Sequence, residues 1–322
     1  MTVVRTVGIV GSGTIGASWA AFYALHGMSV RVYDADKPTA QAAPEIALGH
    51  LHRLVELGLA PPECIAAATI APVDSLTALC ESVDFIQESA RETLEVKVPL
   101  FAELDRLTPP TCLLASSSSG LMMTDIQAAM PHPERAFIAH PFNPPHIIPL
   151  VELVGGEKTS ADTLDRARTF FLSLGKEPVM LKKEVPGHIA NRLAAALWRE
   201  AIDLVAQGVA SVEDVDAALR AGPGLRWAIM GQHMIYHLGG GSGGYEAFIE
   251  HIGKAFEEYW RTMPTWTSIP DDAKKAIVAG VDKAVGQRTL ADIASERDRK
   301  LAAILSALGE VSGETETPHP NS

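Results

Sequence analysis

The 322-residue chain is poor in cysteine and in aromatic residues, and its cations do not balance its acids. Its three cysteines, Cys64, Cys80 and Cys112, have the spacing of neither a disulfide framework nor a zinc site. Lysine and arginine number 27 against 39 aspartates and glutamates, which gives a net charge of −12. Because nucleic-acid binding requires clustered cations, this balance argues against nucleic acid as a partner.

Long hydrophobic runs are also missing, although 47% of the residues are hydrophobic. No run reaches the length that spans a bilayer, so the sequence predicts no membrane segment. A strand pattern begins within a few residues of Met1, which leaves no room for a signal peptide. We therefore expect a cytoplasmic protein with reduced, buried cysteines and no bound metal.

What the chain does have is a glycine motif, Gly11-Ser12-Gly13-Thr14-Ile15-Gly16, between a strand pattern and a helix pattern. In such a motif the first glycine permits the tight turn, and the second lets the backbone approach a pyrophosphate. The third lets the helix pack on the strand. The pyrophosphate then lies at the helix N-terminus, beside Thr14 and Ile15.

Asp34 ends the second strand pattern, where the fingerprint places an acid. A carboxylate there binds the ribose hydroxyls of NAD and repels the additional phosphate of NADP. The motif and the acid together predict NAD as the cofactor.

The order of patterns along the chain predicts an α/β fold. Strand-like and helix-like patterns alternate up to about residue 185, which is typical of a Rossmann-type, doubly wound parallel sheet. After Pro186-Gly187 nearly everything is helical. We expect an NAD-binding domain over 1–185, an all-helical substrate and dimerisation domain over 186–308, and a disordered tail over 309–322. The glycine-rich run 239–244 predicts a flexible loop, either a plain linker or a mobile cover of the site.

A histidine and a glutamate lie in two successive strand patterns. His140 ends the apolar run 136–140, and Glu152 lies inside the apolar run 150–154. An imidazole beside a carboxylate can act as a general acid/base near neutral pH. Beside a nicotinamide site, the pair predicts that a hydroxyl is oxidised or a ketone is reduced, with His140 carrying the proton.

On four further segments the chain resembles the L-3-hydroxyacyl-CoA dehydrogenase superfamily, over about residues 3 to 305. These segments are 87–92 (QESARE), 115–121 (ASSSSGL), 140–152, and 185–192 (VPGHIANR). They keep the order and approximate spacing of the family, so together they are highly specific.

The resemblance implies a role for each matching residue. It assigns His140 as the acid/base, Glu152 as the group that orients it, and Ser119 and Asn191 as neighbours of the substrate oxygen. It places Glu92 and Lys97 at the cofactor. Apart from the resemblance, the other histidines have no ligand spacing and are interpreted as surface or core residues, with His188 and His233 as secondary candidates for substrate contacts.

Cations are scarce where members that bind CoA carry a lysine-bearing helix for its phosphates. Between Lys37 and Arg91 the only lysine or arginine is Arg53. The resemblance therefore favours the branch that oxidises small, free 3-hydroxy acids, and within it the members that act on L-carnitine, on matches such as 140–144 (HPFNP) and 224–227 (GLRW). The alternatives are L-gulonate 3-dehydrogenase, a short-chain 3-hydroxyacyl-CoA dehydrogenase, and a crystallin-like structural protein that binds NAD(H).

A trimethylammonium substrate requires aromatic faces, and its carboxylate requires an arginine. The candidates for these substrate contacts are Phe142, Arg192, Trp198, Arg226, Trp227 and Tyr236. Aromatic residues at such positions also serve as core packing between helices. The resemblance further implies a homodimer that pairs through the helical domain.

Overall fold

The computed structural model describes residues 4–312 of the chain, and side chains up to residue 309. The chain divides into two compact units. The first comprises residues 1–192 with 298–302, and the second comprises the remainder from residue 193 onward. Among the described residues, no helix has the length and apolar character to cross a membrane.

One sheet of eight strands organises the first unit. The strands are β1 (Thr6–Val10), β2 (Ser29–Tyr33), β3 (Thr69–Pro72), β4 (Phe85–Glu88), β5 (Leu113–Ser116), β6 (Ala136–Pro141), β7 (Leu150–Gly155) and β8 (Glu177–Met180). Their order across the sheet is β3-β2-β1-β4-β5-β6-β7-β8. The strand order reverses beside β1, which is where doubly wound sheets open a crevice for ligands.

Strands β1 to β6 are parallel, which confirms the predicted doubly wound architecture. The expectation of a sheet that is parallel throughout is wrong for β7 and β8. Strand β7 pairs antiparallel with β6, and β8 is parallel to β7. The reason is the β6–β7 connection, residues 142–149, which is too short for the crossover that parallel strands require.

Seven helices cover the sheet, and an eighth begins at the end of the unit. They are α1 (Thr14–Leu25), α2 (Lys37–Glu56), α3 (Glu63–Ala67), α4 (Leu76–Cys80), α5 (Leu94–Leu107), α6 (Met123–Ile126), α7 (Ala161–Ser173) and α8 (Ala190–Ala206). Polar side chains cap several of them: Asp36 accepts from Thr39 N–H before α2, and Ser160 accepts from Thr163 N–H before α7.

Side chains alternate along each strand, so a strand whose residues are all buried, such as β4, contributes to packing on both faces of the sheet. On β4, Ile86 belongs to an apolar cluster with Phe101 of α5. The neighbouring residue, Phe85, contacts the aromatic rings of Tyr23 and Phe171 instead. The sheet is therefore the middle of three layers, and the ends of its strands carry the candidate site.

The second unit is helical, as predicted. Besides the remainder of α8 it contains α9 (Val212–Ala221), α10 (Pro223–Ile229), α11 (Gln232–Gly239), α12 (Gly244–Phe248), α13 (Lys254–Thr262), α14 (Asp271–Val285) and, apart from residues 298–302, α15 (Leu290–Ser312). A π-helical turn, Ile249–Gly253, joins α12 to α13.

The glycine-rich run 239–244, predicted as a flexible loop, forms a compact turn between α11 and α12. Residues Gly241–Gly243 form a 3₁₀ turn. A Cβ at Gly240 would lie 1.7 Å from the carbonyl oxygen of Gly244, so only glycine fits this crossing. The Tyr245 N–H donates to His237 Nδ1 at 3.1 Å, which closes the turn with a side chain.

The ends of the predicted domains differ from the compact units in detail. The units divide after Arg192, whereas the change of sequence pattern predicts a boundary near residue 185. Helix α15 continues to Ser312, so residues 309–312 of the predicted tail are helical. Residues 313–322 lie outside the described part of the chain.

Candidate active site

The antiparallel register of β6 and β7 brings the predicted histidine and glutamate together. His140 and Glu152 are direct partners in the ladder. Partners in an antiparallel ladder project to the same face of the sheet, so their side chains meet. His140 Nδ1 lies 2.8 Å from Glu152 Oε2, and both residues are buried.

Glu152 is held as a carboxylate. Its Oε1 accepts hydrogen bonds from the Ile189 and Ala190 N–H groups at 2.8 and 2.9 Å. Burial raises the pKa of Glu152, but the hydrogen bonds from His140 and from the two backbone groups outweigh it, and the net pKa is lowered. An ionised carboxylate only accepts hydrogen bonds, so His140 Nδ1 is the protonated nitrogen. The lone pair of a neutral His140 is then on Nε2.

The residues after β5, which we call the serine loop (117–120), are fixed by Glu92. Its Oε1 accepts from the Ser118 hydroxyl at 2.6 Å and from the Ser119 and Gly120 N–H groups at 2.8 and 3.0 Å. Burial opposes ionisation of Glu92, but the Ser118 hydroxyl, Lys97 and the two N–H groups lower its pKa.

Two hydroxyls of the serine loop differ in their hydrogen bonding. Ser117 Oγ accepts from Trp19 Nε1 and from Gln87 Nε2, so its own proton is directed to Ser89 Oγ at 2.8 Å. No described residue hydrogen-bonds the Ser119 hydroxyl, which is exposed. Ser119 is therefore the hydroxyl of this loop that remains available to a ligand.

A cleft of about 330 Å³, which we call the His140 cleft, collects most of the predicted catalytic residues. It is lined by Ile15, Ser117, Ser119, His140, Pro141, Phe142, Asn143 and Asn191. The structure thus brings together His140, Ser119, Asn191 and Phe142, with Glu152 directly behind His140. All of these residues belong to the first unit.

The glycine motif has the geometry that a dinucleotide requires. Gly11 has a φ of +84°, and a Cβ there would lie 2.6 Å from the backbone of Ser89 and Ala90. A Cβ at Gly16 would lie 1.9 Å from the Gly11 carbonyl oxygen, so only glycine at this position lets α1 pack so closely on the preceding turn. At Gly13, the residue that caps α1, a Cβ would meet nothing within 4 Å, so the side toward a ligand is open.

Asp34 lies one residue beyond β2 and lines a second cleft of about 390 Å³ with Gly11, Ser89 and Arg91. Its Oδ2 accepts from the Ser12 N–H and hydroxyl, at 2.7 and 3.2 Å. The carboxylate is thus oriented from the glycine motif itself. The open helix N-terminus and this oriented acid fit NAD.

Lys97, predicted at the cofactor, is buried and bound by protein groups. Its Nζ lies 2.5 Å from Glu88 Oε1 and 3.4 Å from Glu92 Oε2. Glu88 also accepts from the Ser116 hydroxyl at 2.5 Å. Lys97 does not line either cleft, and its contacts connect α5 to the strand ends that support the serine loop. Glu88 lies on β4 and Lys97 lies on α5, so no local sequence pattern predicts this pair.

The remaining predicted substrate contacts are distributed over both units. Arg192 is exposed at the start of α8, next to Asn191. The other four lie in the second unit, and they are Trp198 on α8, Arg226 and Trp227 on α10, and Tyr236 on α11. Tyr236 stacks on Phe248 with ring centroids 4.5 Å apart, which is packing within that unit.

The side chains that hold the β6–β7 connection were not among the predicted residues. Lys176, which is buried just before β8, donates to the Pro145 carbonyl and, at 2.8 Å, to the Ile148 carbonyl. Ser18 Oγ accepts from the His146 N–H at 3.0 Å and lies 2.7 Å from His146 Nδ1. These contacts join residues far apart in sequence, and no local pattern announces them.

Comparison with known proteins agrees with this geometry. Residues 6–185 match the NAD-binding domain of 3-hydroxyacyl-CoA dehydrogenase, and residues 187–279 match the C-terminal domain of the same family. The chain belongs to the 3-hydroxyacyl-CoA dehydrogenase family and is an NAD-dependent oxidoreductase. The predictions of family, enzyme class and cofactor are confirmed.

Similar proteins cover nearly the whole chain. An L-carnitine dehydrogenase of Streptomyces coelicolor is 41% identical, over 98% of both chains. One of Pseudomonas aeruginosa is 39% identical, over 96% of both. Among solved structures, 5-formyl-3-hydroxy-2-methylpyridine 4-carboxylic acid 5-dehydrogenase, an NAD+-dependent dismutase, is 28% identical with a TM-score of 0.79 and covers 95% of this chain and 99% of its own. Mycobacterium tuberculosis FadB2 is 29% identical with a TM-score of 0.67, over 86% and 94%.

Proposed function

We propose that this enzyme oxidises L-carnitine to its 3-keto acid, with His140 as the proton acceptor. The observation that carries the chemistry is the buried His140–Glu152 pair beside the exposed Ser119 hydroxyl in one cleft. The choice of substrate is supported by the L-carnitine dehydrogenases that match the chain nearly end to end.

Each residue has a distinct task in this proposal. When bound, NAD supplies the acceptor for the hydride that leaves the carbinol carbon. His140 Nε2 removes the hydroxyl proton, and Glu152 stabilises the imidazolium that results. Ser119 and Asn191 donate hydrogen bonds to the substrate oxygen as the C–O bond becomes a carbonyl. The Glu152 hydrogen bonds to two backbone N–H groups keep this carboxylate from taking the proton itself.

A side chain that lines the cleft and one that neighbours a lining residue suit the two ends of a zwitterionic substrate. Phe142 lines it with 36% of its surface exposed, and an aromatic face attracts a trimethylammonium group by about 0.5–2 kcal/mol. Arg192, exposed beside Asn191, is our first candidate for the carboxylate. Arg226, Trp198, Trp227 and Tyr236 stay predictions. Against CoA stands α2, which has only one lysine, Lys37 at its first position, and one arginine, Arg53, which pairs with Glu56 at 3.0 Å.

A substrate panel tests the proposal. Purified enzyme is given NAD with L-carnitine, L-gulonate, L-3-hydroxybutyrate or L-3-hydroxybutyryl-CoA, and NADH absorbance is followed. We expect the highest kcat/KM with L-carnitine, and we expect Phe142→Leu to raise the KM for L-carnitine more than that for 3-hydroxybutyrate. A preference for L-gulonate or for the CoA ester would reject L-carnitine as the substrate.

We further propose that the enzyme is a homodimer that pairs through its helical unit, and that it is cytoplasmic. The support for pairing is a set of large apolar side chains that are more than half exposed in the second unit, including Leu193, Trp198, Leu225, Ile229, Met234, Leu238 and Trp260. The support for a reducing compartment is that all three cysteines are free and buried.

A further inference from the structure

His188 lies between the candidate dyad and the serine loop, and the proposed chemistry gives it no role. It is only 3% exposed, and its φ of +50° is in the left-handed region that side chains rarely adopt. The two residues that follow it supply the N–H groups bound to Glu152. The backbone at His188 is therefore turned in the way that this carboxylate requires.

The segment 187–190 makes hydrogen bonds to both halves of the site. Ile189 and Ala190 bind Glu152, whereas Gly187 N–H donates to the Ser119 carbonyl at 3.1 Å. The fourth bond is made by a side chain, since His188 Nε2 lies 2.9 Å from the Ser118 carbonyl oxygen. A carbonyl oxygen only accepts, so Nε2 carries the proton.

The surroundings of the other nitrogen of His188 favour an uncharged ring. Nδ1 is buried and has no hydrogen-bond partner among the described residues, which suits a neutral imidazole with its lone pair on Nδ1. Burial lowers the pKa of His188, and His140 lowers it further, against the opposing effects of the Ser118 carbonyl, Glu152 and Glu92. Its ring centroid is 4.9 Å from that of His140. A neutral neighbour does not repel the charge that His140 gains with the proton.

We propose that His188 is a positioning residue, whose Nε2–H holds the Ser118 carbonyl and thereby fixes the Ser119 hydroxyl relative to His140 and Glu152. This role rests on the proposed oxidation. It assigns His188 to the geometry of the site rather than to direct contact with the substrate.

Two variants separate hydrogen bonding from packing. His188→Gln places an amide N–H donor where Nε2 lies, whereas His188→Phe keeps the ring shape without a donor. Both replacement side chains meet the same backbone strain at φ +50°, so this strain does not distinguish the two variants. We expect His188→Phe to lower kcat by about 10- to 100-fold, as misplaced reacting groups do. We expect His188→Gln to stay within roughly threefold of wild type, with NADH affinity unchanged in both. A smaller loss in His188→Phe than in His188→Gln, or equal losses, would overturn the proposal.

A double-mutant cycle with Ser119→Ala gives a second readout. If His188 acts through Ser119, the loss caused by His188→Phe should shrink to less than about threefold in the Ser119→Ala background. Full additivity of the two losses would refute the role. If His188→Phe does not fold, His188→Asn replaces it, since its shorter amide does not reach Ser118 and asparagine tolerates the left-handed backbone.

All rates are measured with whichever 3-hydroxy acid the wild-type enzyme oxidises fastest. Failure of L-carnitine in the panel rejects the proposed substrate alone. The ratio of kcat between His188→Gln and His188→Phe tests the role of His188 separately, whichever acid is the substrate.

Discussion

His140 is the single side chain that must change its protonation state in the proposed reaction. We expect His140→Ala to lower kcat by about 10²- to 10⁴-fold while NADH affinity stays close to wild type, because the general base is lost and the cofactor cleft is untouched. Stopped-flow or steady-state NADH formation gives the rate, and NADH fluorescence titration gives the affinity. A near-wild-type rate at neutral pH would exclude His140 as the base.

Glu152 offers the matched variant at the other end of the same hydrogen bond. Glu152→Gln keeps the shape but removes the charge opposite the imidazolium, so kcat should fall and the acid limb of kcat/KM should move. Since the pKa of Glu152 is lowered below the ordinary 4.5, its ionised form is stabilised above that pH, and this contribution is lost as the pH falls through the folded value. Stability in the variant should therefore depend less on pH in the acid range.

Asp34 is our candidate for the residue that selects between the two nicotinamide cofactors. We expect NAD to be strongly preferred over NADP, because the carboxylate is oriented by Ser12 at the end of β2 and repels a 2′-phosphate. Asp34→Ala should reduce the ratio of kcat/KM for NAD and NADP, mainly through KM. Equal efficiency of the wild-type enzyme with both cofactors would contradict this.

At the scale of elements, the β6–β7 connection depends on a lysine that is buried against aromatic rings. Lys176 Nζ lies 4.2 Å from the ring centroid of Phe22 and 5.3 Å from that of Trp19. Burial lowers the pKa of Lys176 to about 7, from the ordinary 10.5. Between these values the unfolded chain binds more protons than the folded one, so this group makes stability rise with pH across that window.

Lys176→Met should abolish that rise. The difference in unfolding free energy between wild type and variant should shift in favour of wild type by about 3–4 kcal/mol between pH 7 and pH 10, at about 1.4 kcal/mol per pH unit at most. Urea unfolding at several pH values measures it, and exposed Lys182→Met is the control. A parallel pH dependence for wild type and Lys176→Met would show that Lys176 titrates normally.

The elements also show what the sequence could predict. The helix pattern after the glycine motif predicts α1, whereas α3, β3, α4 and β8 span only four or five residues each and carry too little periodicity. The direction of β7 follows from a short connection rather than from its own residues. Within the site, His140, Glu152 and Ser119 stand in local motifs and could be predicted. The contacts of Lys176 and the Ser18–His146 contact join residues far apart in sequence, so they form only in the folded chain.

At the scale of the whole molecule, the exposed apolar residues of the second unit predict association. We expect sedimentation equilibrium at micromolar concentration to give twice the 34.3 kDa of the chain. Ile229→Asp, at a residue 69% exposed on α10, should shift the mass toward monomer, because a charge would be buried in the interface. Ile46→Asp, at a 46% exposed residue on α2, is the control and should leave the mass unchanged. A wild-type monomer would refute the homodimer.

In the proposed reaction, the antiparallel ladder between β6 and β7 determines the acid/base chemistry, and the connection between the two strands determines which substrate fits. Backbone pairing aligns His140 with Glu152, whereas the intervening residues 142–149 contribute Phe142 and Asn143 to the cleft. A slip of one residue in the ladder would turn Glu152 to the opposite face and destroy the dyad. Exchange of the connection leaves the ladder intact. Evolution or an engineer can therefore retune selectivity by grafting this short segment, and a chimera with a relative's connection should keep its pH profile while its order of substrates changes.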